Sequence, residues 1–488
     1  MYTLRPLLLV APLILFSACG GGEGGSEPGA GGGGAGADGD GVVVPERIQS
    51  VILFTVDTLR ADRLGCYGST DGVTPHLDRL ASESILFLNP YTQASHTHAA
   101  VSAMMTGLFP HHTGVLGMSG KLADTATPVA VTAQKQGIPT GEFSASHCGA
   151  QGIEGSVWHD GWDEIFCGKD WNTQHYDWDE KAVTAGMEWI QEQDGPFLCW
   201  IHLIDPHGEH IPPPTHWDYD ANPVWDGFQQ GKIFQGYANA GKFPPKEEMD
   251  IMNALYLAEV AGVDDQLGRV TALLETLPNK DEIALIFSAD HGEELFETAP
   301  RWGHGRVMTE GVLHVPLIVH VPGVSPAVVE DPVETLQVAP TTLQLLDLPF
   351  TRELDGASLL SARPSRGWAI SYYGSCVTLR RGDERAWMNL ESLPQDPMYV
   401  HYEQIERKSP VPWFASELVA ASYDGEAKPP TYYDDAQLED EGFEQRLVIP
   451  LRDHLSKLNP VKELRTVDFE GNAAFLEELR SMGYLGDE

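Results

Sequence analysis

Residues 52–68 read ILFTVDTLRADRLGCYG: an apolar run that begins at Val51, ends on the acid Asp57 and passes into a turn carrying Arg60 and Arg63. An unbroken apolar run of this length suits a strand covered on both faces. Three more such runs follow, at Phe197–Ile204, Ile283–Phe287 and Val315–Val321. Helical patterns lie between them. The clearest runs from Ile251 to Leu277, where Leu255, Val263, Leu267, Val270 and Leu274 recur at spacings of three, four or eight. Strands alternating with helices predict an α/β fold with a largely parallel central sheet flanked by helices. Three of the strands run into an acid, Asp57, Asp205 and Asp290, and ligands in open α/β sheets bind beyond the carboxyl ends of strands. A single such acid reads more simply as a turn residue or helix cap; three of them predict one shared site.

Composition narrows the partners. The chain has 488 residues, with 31 Lys+Arg against 71 Asp+Glu, a formal net charge of −40. So acidic a chain is a poor match for nucleic acid or an anionic membrane surface. An anionic substrate then requires local compensation by a metal ion or a cluster of His and Arg. Met1–Ala18 has one basic residue, Arg5, an apolar stretch Leu7–Phe16 too short to span a bilayer, and Ser17-Ala18-Cys19-Gly20 after it. It reads as an export signal, ending in a lipoprotein-type site that acylates Cys19 or in ordinary cleavage. The expected location is the bacterial envelope, with the membrane touched only through that lipid anchor. Gly-rich residues 20–46 form a tether, 47–361 the catalytic domain, and 362–488 a smaller C-terminal α+β subdomain with a last helix at Asn472–Met482. Export permits a Cys148–Cys167 disulfide; the alternative is that the cysteines are small buried hydrophobes.

Four segments carry the chemistry. They are 52–68, SHTHAAVSAMMTGLFPHHTGV (95–115), HLIDPHGEH (202–210), and SADHGEELFE (288–297) followed by RWGHGRVMTEGVLHVPLIV (301–319). In order and spacing they resemble the sulfatase family of the alkaline-phosphatase-like superfamily over roughly residues 48–360. YLAEVAGVDDQLGRV (256–270), DGASLL (355–360) and LRSMGYL (479–485) add to the likeness.

The resemblance implies that Asp57, Asp290 and His291 hold one divalent metal ion. Carboxylate oxygens suit a hard cation, and an imidazole shifts preference from Ca towards Mn or Zn. Thr58 stands where the family often has a second acid. The family's Cys or Ser nucleophile falls on Thr97, as fourth ligand and nucleophile. No Arg follows it, and Thr is not a known substrate for conversion to formylglycine, so formylglycine is not expected. A metal-activated threonine hydroxyl can attack phosphorus directly, which leans the local chemistry towards phosphate or phosphonate esters within a sulfatase-like frame. Thr97 also reads as a plain cap of the predicted helix Ala99–Met105.

His207 and His304 match family positions that contact the ester or protonate the leaving group, and His147 lies near a position that often contacts the anion. An imidazole near its ordinary pKa of about 6.5 suits either task. His96, His98, His111 and His112, with Arg60 and Arg63, read as structural. The expected activity is metal-dependent hydrolysis of a small-molecule or glycan sulfate, phosphate or phosphonate ester. The alternatives are an envelope phosphotransferase and an inactive anion- or glycan-binding relative. Specificity is expected from 158–178, 210–245 and the C-terminal subdomain.

Overall fold

A computed structural model describes Val42, Pro45 and residues 47–389, except 118–119, 146–153, 169–176, 222–227, 298–299, 306–307, 351–352, 363 and 374–375, and then 419–422, 431–432, 444–457 and 465–466. The export signal, Cys19, nearly all of the tether, His147, Cys148 and the final helix at 472–482 lie outside the described residues.

All four apolar runs form strands of one eight-stranded sheet. Its members are β1 (Ser50–Val56), β2 (Ile85–Phe87), β3 (Thr140–Ser144), β4 (Glu164–Cys167), β5 (Leu198–Leu203), β6 (Ile283–Ala289), β7 (Leu317–His320) and β8 (Ala327–Val329). They lie in the order β8-β2-β7-β6-β1-β5-β3-β4. Only β7 runs against its neighbours; every other pairing is parallel.

The unbroken hydrophobicity of β1 follows from its central place, because alternate residues enter different layers. Val51 and Leu53 join Leu198, Trp200, Ala284 and Ile286 in the core on one face. Ile52, Phe54 and Val56 join Cys199, Ile201, Leu285 and Phe287 on the other. The first face is covered by α1 (Thr97–Thr106), all ten of whose residues are buried. The second is covered by α3 (Lys246–Leu274), through Val260, Val263, Leu267 and Val270, and by Val183 of α2 (Trp178–Gln191). Helix α3 begins five residues before the apolar periodicity does. Pro245 precedes it and Glu247 and Glu248 sit in its first turn, where carboxylates favour the positive end of the helix dipole.

Beyond the main sheet, β9 (Ala369–Tyr373), β10 (Cys376–Arg381), β11 (Glu384–Asn389), β12 (Val419–Ser422) and β13 (Thr431–Tyr432) form an antiparallel meander. Ile370, Tyr372, Val377, Leu379 and Ala386 pack with Ala103 of α1 and with Phe109. Arg385 is fully buried and bonds the carbonyl of Met308 at 3.1 Å and the Glu310 carboxylate at 2.6 Å. Cys167 is disulfide-bonded, whereas Cys66, Cys199 and Cys376 carry free thiols. Among the described residues no helix is long and apolar enough to cross a membrane.

Candidate active site

Strand register brings the first two acids together. Val56 is paired with Ala289, so the next residues on each strand, Asp57 and Asp290, emerge side by side. The ladder continues into them: Asp57 N–H donates to Leu203 O at 2.9 Å and Asp290 N–H to Val56 O at 3.3 Å. Asp205, at the end of β5, does not join them. Its N–H donates to Asp179 Oδ2 at 3.2 Å, and of the three expected acids only Asp57 and Asp290 belong to the converging group among the described residues.

Two tight turns fix the carboxylates. Thr58 has φ of +54°, unusual for a β-branched residue, and its N–H donates to Asp290 Oδ1 at 3.3 Å. Tyr256 of α3 clamps this turn, donating its hydroxyl to Thr58 O at 2.7 Å and accepting from Arg60 N–H at 3.0 Å. His291 N–H also donates to Asp290 Oδ1, at 2.7 Å. The next residue must be glycine, since a Cβ on Gly292 would lie 2.0 Å from Gly311 O. His291 Nδ1 bonds the Gly292 carbonyl at 2.9 Å, which puts the ring proton on Nδ1 and leaves Nε2 as a lone-pair donor. That Nε2 lies 3.4 Å from Asp290 Oδ2 and 3.7 Å from Asp57 Oδ1.

Thr97 is the first residue of α1, preceded by His96 at the cap position, and it makes no capping bond. Its hydroxyl turns the other way, 3.2 Å from His291 Nε2 and 3.4 Å from Asp57 Oδ2. The simple cap reading of this residue therefore fails. Helix α1 closes at Gly107, whose φ of +71° belongs to the left-handed region that favours glycine.

One ligand atom each from Asp57, Asp290 and His291 fall within 4.8 Å of one another, and all three residues are fully buried. Asp57 Oδ1 and Asp290 Oδ2 accept no hydrogen bond among the described residues. Burial, then the Asp290 charge, then that of Glu293 push the Asp57 carboxyl well above the usual range. Burial also raises Asp290, opposed by His291 and by backbone N–H groups. Two dry, mutually repelling carboxylates beside an imidazole lone pair fit a divalent cation, which would offset both penalties. Their oxygen-rich set with one nitrogen fits the expected choice of Ca, Mn or Zn without selecting among them.

His304 stacks on His291 with ring centroids 4.4 Å apart, and His207 meets His304 edge-on at 4.8 Å. The ordinary pKa expected from sequence does not hold for either. Burial and then His304 lower His207 to about 3, and burial and then His291 hold His304 well below the imidazole range. His147 lies outside the described residues.

Several neighbours were not legible beforehand. His96 is buried, and the His291 and His304 charges act on it. Glu293 lies 3.3 Å from His304 Nδ1, and His210 Nδ1 bonds Glu259 Oε2 at 2.7 Å. These residues fall inside the quoted segments, but a single sequence does not say which way they point. Arg60 and Arg63, expected to be structural, pair with acids and a carbonyl. Arg60 bonds Asp62, Glu297 and the Glu293 carbonyl, and Arg63 bonds Glu297 at 2.6 Å, which ties the turn after β1 to the loop after β6.

Comparison with known proteins agrees with this geometry. The sequence profile of the family named Sulfatase matches residues 49–348. The chain belongs to the sulfatase family. An ulvan-active sulfatase of Formosa agariphila is 22% identical over 337 residues, 64% of this chain and 64% of that protein. Arylsulfatase K of Danio rerio is 26% identical over 355 residues, 62% and 67% of the two chains. The chain thus spans somewhat under two thirds of the ulvan-active sulfatase. A phosphonate monoester hydrolase from Silicibacter pomeroyi superposes with a TM-score of 0.64 at 18% identity, covering 86% of this chain and 99% of that one. These relatives fit an ester hydrolase in the sulfatase-family fold and favour neither the transferase nor the inactive alternative.

Proposed function

We propose that this sulfatase-family chain is a metal-dependent hydrolase that cleaves an ester at a tetrahedral anionic centre, with Thr97 as nucleophile, and that phosphonate or phosphate esters are its preferred class. The observation that carries the reading is the Thr97 hydroxyl, 3.2 Å from His291 Nε2 and 3.4 Å from Asp57 Oδ2 at the head of a buried helix. A divalent cation held by Asp57, Asp290 and His291 would lower the hydroxyl's pKa and neutralise charge on the ester. The amides of the first turn of α1, which lack intrahelical partners, face an anion favourably. With its hydroxyl proton released to water, Thr97 Oγ1 attacks the central atom, the bond from that atom to the leaving oxygen breaks, and the leaving oxygen takes a proton held by His304 or His207. Burial disfavours the charged form of both rings, and the charge of a bound anionic ester would offset that penalty and bring the proton with it. Threonine has a single oxygen on Cβ, so the esterified enzyme must be opened by water at the same central atom. Phosphorus accepts that second attack readily.

The substrate is a small molecule or glycan ester. Export to the bacterial envelope on an acyl anchor at Cys19 belongs to the same reading, supported by the apolar leader Leu7–Phe16 and the Gly-rich tether. The test is turnover of 4-nitrophenyl sulfate, phosphate, phosphodiester and phenylphosphonate by metal-free protein reloaded with Ca, Mn or Zn. Phosphorus esters should lead, and Thr97→Ala should lose at least about a thousandfold in kcat. Equal activity of Thr97→Ala, or no turnover of any ester with any of the three metals, ends the reading.

A further inference from the structure

Beside the cation-binding residues, four fully or nearly buried side chains from three separate segments form a row. Glu259 lies on α3, well inside the helix, and is fully buried. Its carboxylate accepts His210 Nδ1 at 2.7 Å through Oε2 and the Ile211 N–H through Oε1. Both partners belong to the turn 207–211, the same turn that carries His207. On its other edge, His210 Nε2 lies 3.8 Å from Glu293 Oε2, and the second oxygen of Glu293 lies 3.3 Å from His304 Nδ1. Edge-on rings of Tyr256, at 5.5 Å, and Trp302, at 6.2 Å, confine the His210 imidazole. Trp302 also fills the space where a Cβ on Gly208 would stand, 2.6 Å from the ring, so the turn packs directly against the segment bearing His304.

We infer that Glu259 and His210 are positioning residues for leaving-group departure: by anchoring the 207–211 turn, they fix the orientation of His207. The inference rests on the hydrolase reading above. Buried polar side chains are costly unless satisfied, and two acids and two imidazoles within a few ångströms have no packing role that leucines would not fill better. What the row supplies is direction. Glu259 fixes which nitrogen of His210 carries its proton and holds the Ile211 N–H, so the turn that carries His207 is anchored to α3, while Glu293 lies at Nδ1 of His304. Among the described residues the group that could hold a cation is Asp57, Asp290 and His291, and it includes neither Glu259 nor His210.

Positioning of this kind matters in proportion to how much the departing oxygen needs help. The experiment compares wild type, Glu259→Gln and His210→Asn on a graded series: 4-nitrophenyl, phenyl and alkyl esters of whichever acid the wild type hydrolyses. Glu259→Gln keeps the shape and can accept the Ile211 N–H, but presents an amide to His210. Expected is a loss in kcat/KM of about threefold or less for 4-nitrophenyl and about a hundredfold for alkyl leaving groups, the range for proton transfer by a positioned side chain. Metal content and KM should be unchanged. His210→Asn should reproduce the pattern, so a folding failure in one variant leaves the other to decide. A uniform loss across the series in the folded variants, or no loss, overturns the inference. The hydrolase reading itself is judged apart, by Thr97→Ala: if that variant stays active, the nucleophile assignment falls whatever the leaving-group series shows.

Discussion

Tyr256→Phe removes one oxygen from a site where it does two jobs. The phenol is fully buried, donates to Thr58 O at 2.7 Å and accepts from Arg60 N–H at 3.0 Å. Phenylalanine keeps the packing and leaves a buried carbonyl and a buried N–H unsatisfied. Each such group costs about 1–3 kcal/mol, and partial relaxation brings the expected loss of stability to about 2–4 kcal/mol. The second consequence is functional. Thr58 is held at φ +54°, a conformation that costs about 1–3 kcal/mol and persists only while its surroundings enforce it. If the turn relaxes, Thr58 N–H withdraws from Asp290 and the spacing of Asp57 to Asp290 loosens. A weakening of metal affinity by about tenfold corresponds to some 1.4 kcal/mol, within the strain released. The assays are urea denaturation in chelator, for stability, and calorimetric titration of the metal-free protein with Mn, for affinity. Tyr237→Phe is the control, because that hydroxyl is half-buried and only 3.5 Å from Glu248; it should change stability by no more than about 0.5 kcal/mol. A Tyr256→Phe protein within about 0.5 kcal/mol of wild type and with unchanged Mn affinity would refute the claim that this hydroxyl holds the turn.

Two further outcomes follow from charge. Burial raises Glu334 to about 7, against the partial opposition of Arg366, while its carboxylate accepts Ile370 N–H at 3.0 Å. A folded-state pKa above the unfolded one means that its contribution is full below about 4.5 and is lost as pH rises through about 7. Glu334→Gln should therefore gain on wild type in denaturation midpoint between pH 4.5 and 7; a constant difference across that window would contradict the assignment. The net charge of −40 repels an anionic ester at long range. Raising ionic strength from about 0.01 to 0.5 M shortens the screening length from about 30 Å to under 10 Å and should increase kcat/KM severalfold. A decrease would mean that the local positive potential of the loaded site governs capture.

Much of the scaffold could be read before any coordinates. The four apolar runs became central strands because continuous hydrophobicity has one economical use in a chain of this size, a sheet covered on both faces. The resemblance to the sulfatase family singled out Asp57, Asp290, His291 and Thr97, and the fold brings these four together. Asp205 shows the limit. By sequence it is equivalent to the other two strand-end acids, yet it stands outside their group and its N–H is held by Asp179.

Local pattern determined the elements, the strand-end acids and the family likeness, since periodicity and motif order are properties of a few neighbouring residues. Tertiary structure alone decided that Thr97 turns away from its helix towards His291, 194 positions along the chain. It also decided that burial lowers the pKa of His207 and His304, and that Glu259, His210 and Glu293 form a row beside them. Side-chain direction and desolvation depend on what packs opposite, and here the opposing groups come from strands and helices far apart in the sequence.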